Sequence, residues 1–107
     1  MSDALQRLIE RVETGERGPG LDTASVFGDG QTAMDAVDAF DGSLDAAKAL
    51  HDALLPNWVW WFEPFREIAF CGVYNPEISP LPFTSGDVCP ARAWLLAILR
   101  AYQQVQQ

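Results

Sequence analysis

Few side chains in this sequence are of a kind that does covalent or acid–base chemistry, and they are scattered. The chain holds two cysteines, Cys71 and Cys89, and one histidine, His51. Cys89 precedes Pro90, and proline is favoured at the first position of a helix. A thiol at a helix N-terminus can ionise readily and become a nucleophile. It would still need a base, and His51 is the one imidazole in the chain. His51 falls one position after Leu50, an expected core residue, and so is expected on the helix surface. Cys89 is accordingly expected to cap or pack, and Cys71, beside Phe70 in an alternating strand, to be buried. No serine or cysteine stands in a nucleophile elbow. Two cysteines and one histidine are too few, and wrongly spaced, for zinc. There is no P-loop, no G-x-G-x-x-G and no Lys-rich patch, and Gly28-Asp29-Gly30 reads as a turn. The expectation is a protein with no catalytic residue, metal or cofactor.

Carboxylates and indoles offer binding chemistry instead. Asp29, Asp35, Asp38, Asp41, Asp45 and Asp52 form an acidic series that does not fit the calcium-loop spacing. Asp35 and Asp38 share a helix face. The ordinary reading is a solvated surface. The sharper one is a docking surface for a basic partner, because clustered like charge steers association. Asp35, Asp38, Asp41, Asp45 and Asp52 are the candidate partner-binding residues. The aromatic cluster Trp58, Trp60, Trp61, Phe62 and Phe65 has the makings of a stacking platform for a sugar or base. Base stacking usually comes with cations, and only Arg66 is near, so the cluster is expected to be core.

The whole-chain balance agrees. In 107 residues there are seven basic and fifteen acidic side chains, for a net charge of −8. That argues against binding nucleic acid or an anionic membrane. Residues 1–55 hold eleven of the acids and four of the bases, so −7 of the −8 lies there. Length and composition indicate one globular domain over residues 1–107. No apolar run reaches the ~18 residues of a membrane helix, and no basic-then-apolar leader is evident. A cytoplasmic protein with free thiols is expected.

The elements that must position these groups can be read in order. Ser2 or Asp3 caps a first helix with Leu5, Leu8, Ile9 and Val12 inward, stopped by Gly15 before a loop at 16–20. One or two helical turns are expected within residues 21–27. A short helix capped by Thr32 and running through Val37 would carry Met34, Val37 and Phe40 inward. Ser43 caps a helix with Leu44, Ala47, Leu50 and Leu54 on one side, ended by Pro56. Asn57-Trp58-Val59-Trp60-Trp61-Phe62-Glu63 reads as a strand. Trp58, Trp60 and Phe62 fall on one face and Val59 and Trp61 on the other, which suggests a sheet covered on both sides. Pro64-Phe65 is the expected turn into a second strand over Glu67 to Tyr74. A third, edge strand or loop is expected over Ile78 to Thr84 because of Pro80 and Pro82. A closing amphipathic helix carries Ala91, Trp94, Leu95, Ile98, Ala101, Tyr102 and Val105 inward. The fold class is α+β: a small antiparallel sheet of two to four strands, sandwiched between N-terminal helices and a long C-terminal helix.

Four pieces of the sequence, in this order and spacing, resemble the phage ABA sandwich domain family, small proteins of phages and prophages. They are Leu8-Ile9-Glu10-Arg11-Val12-Glu13 running through Thr14-Gly15 to Gly18-Pro19-Gly20-Leu21-Asp22, then Ser43-Leu44-Asp45-Ala46-Ala47-Lys48-Ala49-Leu50, then Pro56-Asn57-Trp58-Val59-Trp60, and finally the helix from Cys89-Pro90 to Ala101. The resemblance implies an α-β-α layered sandwich of phage or prophage origin and supplies no catalytic residues. In that setting the expected function is a non-enzymatic accessory protein that binds another protein. Its acidic helical half would cover a basic, nucleic-acid-binding surface of a host defence complex, specifically a CRISPR-type effector. The alternative is a virion or assembly interaction module without inhibitory activity.

Overall fold

The computed structural model describes residues 3–15 and 21–106; Ser2 as a cap and the loop at 16–20 lie outside them. Helix α1 spans Asp3–Thr14 and buries Leu5, Leu8, Ile9 and Val12, as their 3.6-residue spacing demands. Gly15 ends it at φ +69°, its N–H donating to the Arg11 and Val12 carbonyls. Helix α2 is a single turn, Ala24–Phe27. Helix α3, Gln31–Phe40, is longer than expected and starts from Gly30, so Thr32 lies inside it and caps nothing. Its buried residues are Ala33, Ala36, Ala39 and Phe40, while Met34 is 60% exposed. Alanines let α3 pack closely on its neighbours, and the larger methionine is left on the outside.

Helix α4, Leu44–Leu54, begins where expected: the Ser43 hydroxyl oxygen accepts the Ala46 N–H at 3.1 Å. Its buried stripe is Ala46, Ala47, Leu50 and His51, with Leu44 exposed and Leu54 half-buried. Strands β1 (Val59–Phe65), β2 (Ile68–Tyr74) and β3 (Phe83–Asp87) form an antiparallel sheet in that order. The first hairpin turns at Arg66-Glu67, two residues later than expected, because Phe65 pairs with Ile68. Pro64 stays inside β1 because that strand is a sheet edge, where a missing N–H is tolerated. The third strand likewise forms only after Pro80 and Pro82. Helix α5, Pro90–Val105, follows Cys89, whose side chain makes no capping bond.

The α+β class, the small antiparallel sheet and the long C-terminal helix stand as expected; the order of the layers does not. Helix α5 packs against β2 and β3 on one side and against α1, α3 and α4 on the other. It is the middle layer, and the sheet is an outer one with a single covered face. The expectation of a sheet buried on both sides is corrected on that point. Ala91 and all of Ala93 to Leu99 are buried, as a helix enclosed on most sides requires. Val105, past that enclosure, is exposed.

Arg92 ties the first turn of α5 to the end of α3. Its Nε donates to the Phe40 carbonyl at 2.7 Å, and its guanidinium lies 4.7 Å from the centre of the Phe40 ring. That carbonyl is among those a helix end leaves without an intrahelical partner. Arg92→Ala is expected to lower stability by about 1–3 kcal/mol. Arg92→Lys should recover less than half, since an ammonium cannot reproduce the planar stack. Urea midpoints of the three proteins check this, and equal midpoints would refute the clamp.

Candidate protein-binding site

The five acidic candidates all lie on α3, α4 and the turn between them, two helices that pack on each other. Local structure separates them. Asp45 sits in the first turn of α4, where the helix dipole favours an acid. Asp52 pairs with Lys48 at 2.6 Å, one turn away. Asp35 accepts from the Gln31 amide at 2.9 Å. Asp38 and Asp41 are different. Both are exposed, in the last turn of α3 and at its C-cap, where the dipole opposes negative charge. Among the described residues neither carboxylate has a hydrogen-bonding or ion-pairing partner.

Asp38 also borders a shallow groove of about 550 Å³ between α2 and α3. Ala33, Met34 and Val37 line its floor, with Asp29 and Asp38 around them. The acidic series alone did not reveal this groove. It depends on Met34 facing outward, whereas the helical spacing predicts it inward. A second depression, about 470 Å³, runs along α1 between Arg7, Arg11, Glu10 and Asp22, whose charges offset one another. Hydrogen bonds from the Ser25 hydroxyl and amide hold the exposed Asp22 carboxyl below its usual pKa.

The aromatic cluster divides across the sheet. Trp60 and Phe62 share a face with Val73 and Cys71 and meet α5. Trp61 and Phe65 stand on the opposite face with Val59, Ile68, Phe70 and Tyr74, where no described helix packs on them. Val59 and Phe65 are 61% and 62% exposed, and Ile68 and Phe70 both 40%. The expected core role holds in part for Trp58 and Phe62, which pack against the core, and is corrected for the rest: Trp60 meets Trp94 yet stays 39% exposed, Phe65 lies mostly in solvent, and Trp61 is half-buried. Trp61 lies over Gly72 and Phe70 over Gly86, its directly paired residues. A Cβ on Gly72 would fall 2.2 Å from the Trp61 ring, and one on Gly86 2.7 Å from Phe70. The glycines let the rings lie flat, which makes the outer face a smooth apolar shelf.

His51 is 2% exposed, not on the surface. The Trp94 indole N–H can only donate, and it faces His51 Nδ1 at 3.3 Å. Nδ1 is therefore the acceptor, and Nε2 carries the proton and donates to the Trp58 carbonyl at 3.0 Å. Burial lowers the imidazole pKa, with smaller opposing effects from the Trp58 carbonyl and Asp52. The ring is a neutral strut between α4, α5 and the entry to β1. Cys71 is buried as expected, and burial pushes its thiol up to about 12, far from a reactive thiolate. Cys89 is half-buried and free. No cluster of three or more metal-ligating side chains occurs among the described residues, and no described helix is long and apolar enough to cross a membrane.

No protein-family model, curated protein or solved structure matches the chain.

Proposed function

We propose that this chain is a non-enzymatic binding protein that docks a basic surface of another protein through the acidic side formed by α3 and α4. The observation that carries the reading is the pair Asp38 and Asp41. Two exposed carboxylates at a helix C-terminus cost stability rather than supply it. Met34 and the apolar groove beside Asp38 add an adaptable contact next to the charge. In the phage or prophage setting that the sequence resemblance suggests, the partner is a nucleic-acid-binding surface of a host defence complex, in particular a CRISPR-type effector. The acids would stand in for phosphates or the domain would plug the groove. A second reading, a virion or assembly module without inhibitory activity, draws on the uncovered apolar face of the sheet.

A tagged pull-down from bacterial lysate at low and high salt tests the first reading. A nucleic-acid-binding complex caught at low salt and lost at high salt supports it, since exposed charge contacts are screened. Asp38→Lys with Asp41→Lys should weaken that capture by about 10- to 100-fold. Unchanged capture by the reversed protein, or capture of phage structural proteins alone, would overturn it.

A further inference from the structure

We propose that the outer face of the sheet is the interface of a homodimer, covered by the same face of a second copy of this chain. Three features point to another copy rather than to an unrelated partner. The first is charge. The acidic excess lies in the N-terminal half and is displayed on α3 and α4, with α5 between those helices and the sheet. Two molecules of net charge −8 repel, and their sheet faces are where they can meet with the acidic helices pointing apart. The face itself carries Glu63, with Arg66 at the hairpin end, two opposite charges that a two-fold axis can bring together.

The second is shape and area. Trp61 and Phe70 lie flat over Gly72 and Gly86, so the shelf can meet a like surface without protruding obstacles. Val59, Trp61, Phe65, Ile68, Phe70 and Tyr74 form its apolar part. Taking roughly 150–250 Å² for a large side chain, the apolar part of the face exposes about 500 Å² per copy. A pair would bury on the order of 1,000 Å², the threshold for a biological interface with good complementarity. The third is the β1 edge, one of the sheet's two. Pro64 has no N–H to offer at the edge of β1, so strand addition there is obstructed and the face is the better docking surface.

The dimer has a salt signature opposite to that of the proposed acidic contact. Apolar burial survives salt while the repulsion between two acidic bodies is screened, so added salt should tighten it. Sedimentation equilibrium of the purified full chain at roughly 10–100 µM, in about 0.05 M and 0.5 M NaCl, reads both effects. The expected result is a mass of two chains, with tighter association at the higher salt. Phe65→Lys and Val59→Lys, each at a side chain already mostly in water, should keep the monomer's circular dichroism. Each should weaken association by roughly 30-fold or more. A wild-type monomer at both salt concentrations would overturn the proposal. So would a dimer that both lysine variants leave intact. Neither result bears on Asp38 or Asp41, so the two proposals fail separately.

Discussion

Trp94→Ala is expected to lower the stability of this protein by about 3–5 kcal/mol, enough to leave much of the chain unfolded at 37 °C. The indole lies at the centre of the layer order. It stacks on Trp60 with ring centres 4.4 Å apart, meets Phe62 edge-on at 5.4 Å, and donates its N–H to His51. Truncation removes the contacts that hold β1 down on α5 and opens a cavity beneath the sheet. It also leaves the buried His51 Nδ1 without its donor. Trp94→Phe separates these effects, because a ring still fills most of the space while the hydrogen bond is lost. It should cost about 1–2 kcal/mol. Urea unfolding by circular dichroism gives both values from the midpoint shift at constant slope. A Trp94→Ala loss under about 1 kcal/mol would mean that α5 is not the middle layer.

Acid should destabilise the folded protein through His51. An ordinary imidazole titrates near pH 6.5, and burial holds this one below that value when folded. The unfolded chain therefore binds the proton first as pH falls. The stability from the neutral ring is complete above the unfolded pKa. It declines as pH drops from 6.5 towards the folded pKa and is constant below that. One such site contributes at most about 1.4 kcal/mol per pH unit within the window. Geometry makes the cost specific: a proton on Nδ1 would set two N–H groups against each other at the Trp94 contact. His51→Gln removes the titration and retains an amide that can both donate and accept. Urea midpoints of the two proteins between pH 5 and 8 should converge as pH falls. Parallel curves would show that the histidine titrates alike in the two states and would refute the prediction.

Much of the local structure was legible in particular residues. Leu5, Leu8, Ile9 and Val12 could satisfy their spacing only as one buried helical stripe, and they do. Ser43 is a side chain that accepts from a free helical N–H, so α4 starts there whatever surrounds it. Pro56 and the aromatic run after it announced the change from helix to strand. Other local readings failed where a stripe was ambiguous. In α3 the alanines and Met34 competed for the inside, and close packing chose the alanines. His51 borders the Leu50 stripe closely enough to be drawn in once α5 covers that side. The sequence also carries a signal for the enclosed helix. The unbroken run Ala93-Trp94-Leu95-Leu96-Ala97-Ile98-Leu99 leaves no polar face, as expected of a helix enclosed within the fold.

The sequence by itself determined the α+β class, the Ser43 cap, the strand alternation and the acidity of the N-terminal half. Each depends on residues close together in the chain. Only the tertiary structure decided that α5 separates the sheet from the other helices and that one sheet face stays uncovered. It also decided that Asp38 borders a groove and that His51 bridges to Trp94. Periodicity marks which side of an element is apolar, but not which distant element will cover it. Trp60 and Trp61 alternate in one strand with equal claim to burial. Long-range packing put Trp60 against Trp94 of α5, and half-buried Trp61 by laying it across a glycine on the other face.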